Sequence, residues 1–304
     1  MNNFEFNIIL DDLYINDKTK ANNLLSLVNG YEDGKWDYNK FNNYISNSLK
    51  YTALTENERN KLIHREATLL GKAFRNVRND VNSLGGEVAE ILLYGIMHDY
   101  YKALPIVPKI FHKQNSNDYV KGADSIHIII DKNNDVEFWY GEAKFYNKFD
   151  KTLISNTINS IIEMLSKDKL KKENHIIVYS SDLQECIKNR YSKNSSELID
   201  IICNMLENSF DEMKKRIHVP ILLLYECDIT KKHSELTEEY KKQILLDHNL
   251  KYTTYFDEQK KAILNSSLNN IDSITYHLIL FPTPLKSQIM DEYKASIQFY
   301  QRGK

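Results

Sequence analysis

Three charged residues are notable because they lie in two segments that are otherwise apolar. Asp124 comes directly before the run SIHIII, and Glu142 and Lys144 lie within FWYGEAKFY. Carboxylates that lie close together in an apolar environment repel each other, so they need a cation between them. A divalent metal meets that need, and ligands that are all oxygens favour Mg²⁺ or Mn²⁺ over zinc. These residue types indicate a metal site if the fold brings them together.

The two segments are predicted to form a β-hairpin. Its arms are Ser125–Asp131 and about Asp135–Tyr146, which are rich in β-branched and aromatic residues, and the KNN between them suits a tight turn. If the turn centres on residue 133, residues whose numbers sum to 266 stand opposite each other. Asp124 then faces Glu142, and Lys144 shares their side of the sheet because side chains alternate along a strand.

A structural alternative is that Glu142 and Lys144 form an exposed pair on an edge strand, with Asp124 as a turn residue. The opposite face of the second arm argues against this alternative, because its residues are also apolar or small. They are Trp139, Gly141, Ala143 and Phe145. A strand that is apolar on both faces is predicted to be buried, and buried charges need partners. The metal site is therefore the favoured interpretation.

An aspartate followed by Glu-x-Lys on the next strand resembles the metal site of the PD-(D/E)xK nuclease superfamily. The matching residues are Asp124, Glu142 and Lys144, with Ala123 where the family name has proline. The resemblance implies that the two acids hold Mg²⁺ or Mn²⁺ beside the scissile phosphate. It implies that the lysine positions the attacking water or offsets phosphate charge. It also implies an α/β fold with a restriction-endonuclease-like core, in which a mixed central sheet is flanked by helices.

The predicted helix ahead of the hairpin carries two further acids. The segment GGEVAEILLYGI has helical spacing and places Glu87 and Glu90 one turn apart. The helix dipole alone favours an acid in the first turn, so Glu87 also has a structural explanation. In the superfamily, a glutamate on this helix commonly completes the metal site. Glu87 is the first candidate for that third ligand and Glu90 the second, and their spacing does not separate them.

Lysines around the hairpin are candidates for contacts with nucleic-acid phosphates. Lys121 precedes the first arm, and Lys148 and Lys151 follow the second. The superfamily places the start of a helix near the DNA backbone at this point. The lysines within Lys167–Lys172 form a further basic cluster, which is predicted to lie on a solvated helix face.

Three adjacent segments are predicted to make up the chain. Residues 1–83 form a mostly helical N-terminal extension, residues 84–181 the nuclease core, and residues 182–304 a C-terminal α/β extension packed on the same body. The core follows the order α-β-β-β-α-β. Its first strand is Leu104–Phe111, irregular or at an edge because of its two prolines, and its last strand is His175–Ser180.

Further elements are predicted from periodicity and capping signals. The sequence Thr55-x-x-Glu58 is a capping box that opens a long helix. The predicted helices are Thr55–Asp80, one from about Lys151 to Lys169, Ser196–Met213 and Glu235–Asn265, and the predicted strands are Phe4–Leu10, Pro220–Cys227 and Ile274–Phe281.

Composition excludes several other classes of protein. The 304 residues carry a formal net charge of −2, so any contact with nucleic acid must come from a local patch. The three cysteines form no C-x-x-C pair, which argues against a disulfide framework or a zinc site. The sequence shows no signal peptide and no apolar run of the roughly 20 residues that a membrane span needs. A soluble, cytoplasmic protein is therefore expected.

Most of the chain resembles the HamA family, which is the nuclease subunit of the Hachiman anti-phage system. The resemblance rests on GGEVAEILLYGI, GADSIHI and FWYGEAKFY, in that order. It implies a DNA nuclease that a HamB-like helicase partner holds and that is released or activated when phage DNA is sensed. The chain has no G-x-x-x-x-G-K-[ST] loop, so any ATP-driven step must reside elsewhere.

The predicted function is a Mg²⁺-dependent endodeoxyribonuclease of low sequence preference, because phosphate contacts carry no sequence information. Two alternatives are left open by the residues alone. One is a non-catalytic subunit that uses a nuclease-like fold to bind a partner protein or nucleic acid. The other is an RNase or a site-specific nuclease.

Overall fold

A mixed sheet of seven strands runs through the middle of the molecule in our computed structural model. The structure describes residues 4–12, 22–77, 84–110, 122–207, 213–266, 268 and 273–302. The strands are β1 (Asn7–Asp11), β2 (Asn22–Val28), β3 (Tyr31–Glu32), β4 (Lys35–Trp36), β5 (Leu104–Pro105), β6 (Ser125–Ile130), β7 (Val136–Tyr146), β8 (Ile217–Glu226) and β9 (Thr275–Thr283). The large sheet has the order β1-β2-β9-β8-β7-β6-β5, and β3 pairs with β4 in a separate hairpin.

The four central strands are parallel and the outer ones are antiparallel to their neighbours. β2, β9, β8 and β7 run in the same direction, whereas β1, β6 and β5 each pair antiparallel. Parallel strands are normally covered on both faces, and the near-continuous apolar run of β8 fits that position. The predicted mixed α/β fold is confirmed, and it is compatible with a PD-(D/E)xK-like core.

Helices cover both faces of this sheet. They are α1 (Tyr38–Ala53), α2 (Glu56–Lys61), α3 (Glu66–Arg75), α4 (Leu84–Asp99), α5 (Lys151–Met164), α6 (Lys167–Val178), α7 (Ser181–Arg190), α8 (Ser195–Glu207), α9 (Asp228–Lys232), α10 (Glu238–Leu264) and α11 (Lys286–Gln301). One apolar core joins the sheet to α1, α3, α4 and α11, and a second joins the opposite face to α5–α8 and α10. The described part of the chain contains no helix long and apolar enough to cross a lipid bilayer.

Two predicted elements of the core differ from the structure. The strand predicted at His175–Ser180 is wrong, because α6 continues to Val178 and buries Leu170 and Ile177 on one helical face. The helix that begins upstream thus overrides the β propensity of HIIVYS. The strand beside β7 is instead β8, which follows three inserted helices. The first core strand is only Leu104–Pro105, and it lies at the sheet edge as its prolines predict.

Two predicted helices are each divided into two. The capping box at Thr55 and Glu58 is confirmed, but α2 ends at Lys61 and α3 begins at Glu66. A turn intervenes, in which the Arg65 N–H donates to the Leu62 carbonyl at 2.8 Å. The helix after the hairpin ends at Met164, where a second helix follows it. The remaining predicted strands and α10 agree with the structure to within a few residues. The helix predicted at Ser196–Met213 corresponds to α8, which ends at Glu207, and residues 208–212 lie outside the described parts.

Candidate functional site

The β6–β7 hairpin places Asp124 across from Glu142. Ser125 pairs with Gly141 in the register that the turn predicts, so the numbers of opposing residues do sum to 266. Just before Ser125 in the chain, the Asp124 N–H donates to the Gly141 carbonyl at 2.8 Å. The Asp124 carboxylate accepts the N–H of Ala143 at 3.0 Å. These two bonds hold Asp124 beside the stretch of β7 that carries Glu142 and Lys144.

Glu142 and Lys144 lie on the same face of β7 and form an ion pair. Their Oε1 and Nζ atoms are 2.5 Å apart, and the side chains are 3% and 25% exposed. β7 is an interior strand, between β6 and β8, so the alternative of an exposed pair on an edge strand is wrong. The burial of Glu142 means that its charge is kept from water and must be balanced within the protein.

The electrostatics of this trio favour an additional cation. Burial, and after it Asp124, raises the pKa of Glu142 to about 7, although Lys144 and Ser160 act to lower it. Burial acts to lower the pKa of Lys144, but Glu142 and Asp124 raise it overall, so the lysine stays charged. Two carboxylates thus share one ammonium group. Their oxygen donors suit Mg²⁺ or Mn²⁺, and Asp124 and Glu142 are the residues that would hold it.

Glu87 and Glu90 belong to the helix on the other face of the sheet. Glu87 lies in the first turn of α4, where its Oε1 accepts a hydrogen bond from the Tyr293 hydroxyl at 2.7 Å. Burial, then Glu87 and Glu90, raise the pKa of Tyr293. Within the described residues, no group of three or more His, Cys, Asp or Glu side chains is arranged to hold a metal. The structure brings Asp124, Glu142 and Lys144 together, and a third acid from α4 stays a prediction.

The predicted phosphate-contacting lysines lie at the end of β7. Lys148 is exposed in the turn after the strand, and Lys151 is exposed at the start of α5, whose first turn is capped by Asp150. Lys121 lies outside the described residues. The structure places Lys148 in a groove of about 450 Å³ that continues from the strand end. Their contact with phosphates stays a prediction.

Lys286 is a cation of this groove that sequence reasoning missed. Its Nζ donates to the Phe145 carbonyl at 2.6 Å, and its aliphatic chain reaches the start of α4 at Gly85. Burial lowers the pKa of Lys286, and Glu226 only partly opposes that effect. The residue comes from the start of α11, far from the hairpin in the chain, and no local pattern marks it.

Two further side chains approach Glu142 from the helices that cover its face. Ser160 of α5 acts to lower the pKa of that carboxylate. Tyr255 of α10 is fully buried, and its pKa is raised first by burial, then by Tyr276 and Glu142. Sequence reasoning missed both, because each is a polar residue within an ordinary helical pattern. The acid face of β7 is thus covered by α5 and α10, and the groove begins one residue beyond Lys144, at the end of the same strand.

The fold and this site define an α/β protein with a restriction-endonuclease-like core and an acid–acid–lysine set on its central hairpin. A family model covers nearly the whole chain. It matches residues 4–300, and the chain belongs to the HamA family. HamA proteins are a component of Hachiman, a multi-component anti-phage defence system. No curated protein shows significant similarity to the chain.

Proposed function

We propose that this protein is a metal-dependent endodeoxyribonuclease of low sequence preference that acts in the cytoplasm during anti-phage defence. The observation that carries this proposal is the buried Glu142, held 2.5 Å from Lys144 and opposite Asp124. Structural stability gives little reason to bury this charge, since the pKa of Glu142 is raised to about 7. A buried carboxylate whose pKa is strongly perturbed beside a second acid and a lysine is typical of catalytic sites.

Each residue of the trio has a distinct role in this proposal. Asp124 and Glu142 bind the metal, and the Ala143 N–H keeps the Asp124 carboxylate in place. When bound, Mg²⁺ or Mn²⁺ supplies a water of lowered pKa and stabilises the charge that develops on the phosphate. Lys144 remains charged, so it orients the attacking water and offsets the charge of the phosphate.

The substrate runs along the groove at the end of β7. Lys148 and Lys286 line that groove, Lys151 stands beside it, and Lys121 precedes the hairpin. These residues contact the phosphates of DNA and not its bases, so they do not select a sequence. Four lysines on a chain of net charge −2 give only modest affinity, so a partner must deliver the substrate. A HamB-like helicase subunit is that partner in this proposal.

The experiment that tests the proposal offers the purified protein a choice of substrates. Supercoiled plasmid, linear duplex DNA and RNA are each incubated with Mg²⁺, Mn²⁺ or EDTA, with and without a HamB-like helicase and ATP. We expect nicking or degradation of both DNA substrates that requires metal, and little cleavage of RNA. Preferential cleavage of RNA, or discrete DNA products at one sequence, would favour the other nuclease classes. Absence of cleavage even with the helicase would favour a binding subunit.

A further inference from the structure

A second cavity lies beside the edge strand β5, and Asp124, Glu142 and Lys144 are not among the residues that line it. It has a volume of about 380 Å³ and is enclosed by α1, α2, α3, α7 and the edge strand β5. His98, on its wall, stands at the end of α4 opposite to Glu87. Eleven residues separate the two side chains, roughly 16 Å along the helix axis. The volume lies in the range of small-molecule sites, and the proposed nuclease activity makes no use of this cavity.

One corner of the cavity is cationic. Arg59 is only 9% exposed, and its guanidinium donates to the Leu54 carbonyl at 2.6 Å and to the Glu56 carboxylate. A guanidinium has five N–H donors, so these two bonds leave others for a ligand. Lys50 and Arg190 also line the cavity. Neither forms an ion pair with a carboxylate of the described residues.

Two glutamates also line the cavity, but they do not neutralise all of its positive charge. Glu56 is engaged by Arg59 and by the amides of Asn60 and Asn189, and Glu66 is exposed. Two of the cations are near one phenol. Burial and Asp99 raise the pKa of Tyr51, whereas Arg59 and Arg190 act to lower it. Lys50 Nζ and the Arg59 guanidinium lie 5.2 and 5.7 Å from the centroid of the Tyr51 ring, whose hydroxyl is itself a hydrogen-bond donor and acceptor.

Another part of the cavity lining is apolar. It is formed by Leu69, Leu104 and Pro105, and Ile63 lies at its rim with two-thirds of its surface exposed. Tyr51 stacks on His98 with their ring centroids 4.1 Å apart, which fixes the position of the phenol. A cavity with an apolar wall and a few convergent polar groups is the usual form of a small-molecule site.

We propose that this cavity binds a small organic anion with a flat, apolar body and one phosphate group, of the class of nucleoside monophosphates. The phosphate is bound by Lys50, Arg59 and Arg190, which present charged donors suited to its oxygens. The flat body lies against the wall made by Leu104 and Pro105. These two residues pair with Ile128 and His127 of β6, so the ligand contacts the sheet through its edge strand.

Isothermal titration calorimetry of the full chain tests this proposal. AMP is titrated in EDTA, so that no metal bridges it to the acid pair, and adenosine and inorganic phosphate are titrated separately. We expect AMP to bind with a Kd below about 1 mM and at least tenfold more tightly than adenosine or phosphate alone. Arg190→Met and Lys50→Met should each weaken AMP binding about tenfold, the loss of one charged hydrogen bond. Lys188→Met, on the same helix as Arg190 and equally exposed, should leave it unchanged.

Three results would overturn the proposal. The first is the absence of AMP binding to the wild-type chain. The second is equal binding of adenosine, which would show that the cationic corner takes no part. The third is AMP binding that both variants retain, which would locate the ligand elsewhere. The unfolding temperatures of the variants should equal that of the wild type, because Lys50 and Arg190 are not in the apolar cores.

Discussion

At the scale of single residues, the charge on Glu142 is costly to the folded protein. Its pKa rises from an ordinary 4.5 to about 7, so at higher pH the ionised form costs on the order of 3 kcal/mol without a metal. Lys144 offsets part of the cost of burial but does not remove it. A side chain kept under these conditions is explained by binding and chemistry better than by stability.

Replacing members of the trio should abolish cleavage. Glu142→Gln removes a proposed metal ligand and Lys144→Met removes the cation proposed to orient the attacking water, so each should lower the rate roughly 100-fold or more. Glu137→Gln is the matched control, because Glu137 lies on the same strand with its carboxylate partly exposed. The measurement is the rate of plasmid cleavage under conditions in which the wild type is active. Full activity in either trio variant would show that the site is wrongly assigned.

Buried histidines should make the fold sensitive to acid. Burial lowers the pKa values of His127 and His248 to about 3, with small contributions from His98 and Lys251, whereas an unfolded histidine titrates near 6.5. Between these values the unfolded chain binds more protons, so stability is full above about pH 6.5. It falls as the pH drops, by about 1.4 kcal/mol per pH unit for each histidine, and the protonation of Glu142 below about pH 7 offsets part of that fall.

Urea unfolding at pH 7.5, 6.0 and 5.0 measures this dependence. His127→Phe keeps an aromatic ring packed on Tyr94. It should reduce the slope of the free energy of unfolding against pH by the contribution of one histidine. His64→Phe, at an exposed position, should leave the slope unchanged. A wild-type stability that stays constant from pH 7.5 to 5.0 would contradict the prediction.

At the scale of elements, the hairpin was predictable because its information is local. The turn fixes the register of both arms, and the register alone places Asp124 opposite Glu142. The segment His175–Ser180 shows where local information fails. Its β-branched residues favour a strand, but the helix that precedes it and the apolar core beneath it determine its conformation. The order of the parallel strands and the approach of Lys286 depend on distant segments, and no local pattern encodes them.

Glycine 141 is required for α4 to pack against β7. A Cβ at Gly141 would lie 2.2 Å from the Ser125 hydroxyl and 2.7 Å from Leu93. Gly141→Ala should therefore lower the free energy of unfolding by roughly 1–3 kcal/mol, the usual cost of overpacking. In Gly86→Ala, the new methyl group meets no atom within 4 Å, and the helix should gain up to about 1 kcal/mol. Urea unfolding measures the free energy of unfolding of both variants. An unchanged value for Gly141→Ala would contradict this account of the packing.

At the scale of the whole molecule, one sheet draws its strands from all three segments of the sequence. β1 and β2 come from residues 1–83, β5–β7 from residues 84–181, and β8 and β9 from residues 182–304. We therefore propose that these segments fold as one cooperative unit. The sequence indicates the identity of most strands, but their order across the sheet follows from long-range pairing that no single segment contains.

The isolated fragment 84–181 should fail to fold. It lacks β8, so one whole edge of β7 and the apolar faces beneath it would be open to water. The full chain should unfold in a single transition. Far-ultraviolet circular dichroism and the fluorescence of Trp36 and Trp139, which belong to different segments, should report the same midpoint in urea. A folded fragment, or two separate transitions, would contradict the proposal of one unit.

The central claim is that Asp124 and Glu142 together hold a divalent cation, and titration of the metal-free protein with Mn²⁺ in a calorimeter tests it most directly. This measurement depends neither on a partner nor on conditions under which the proposed nuclease activity appears. We expect the wild type and Glu137→Gln to bind Mn²⁺ with the same affinity and Glu142→Gln to bind it at least about tenfold more weakly. Equal binding by Glu142→Gln, or no binding by the wild type, would contradict the claim.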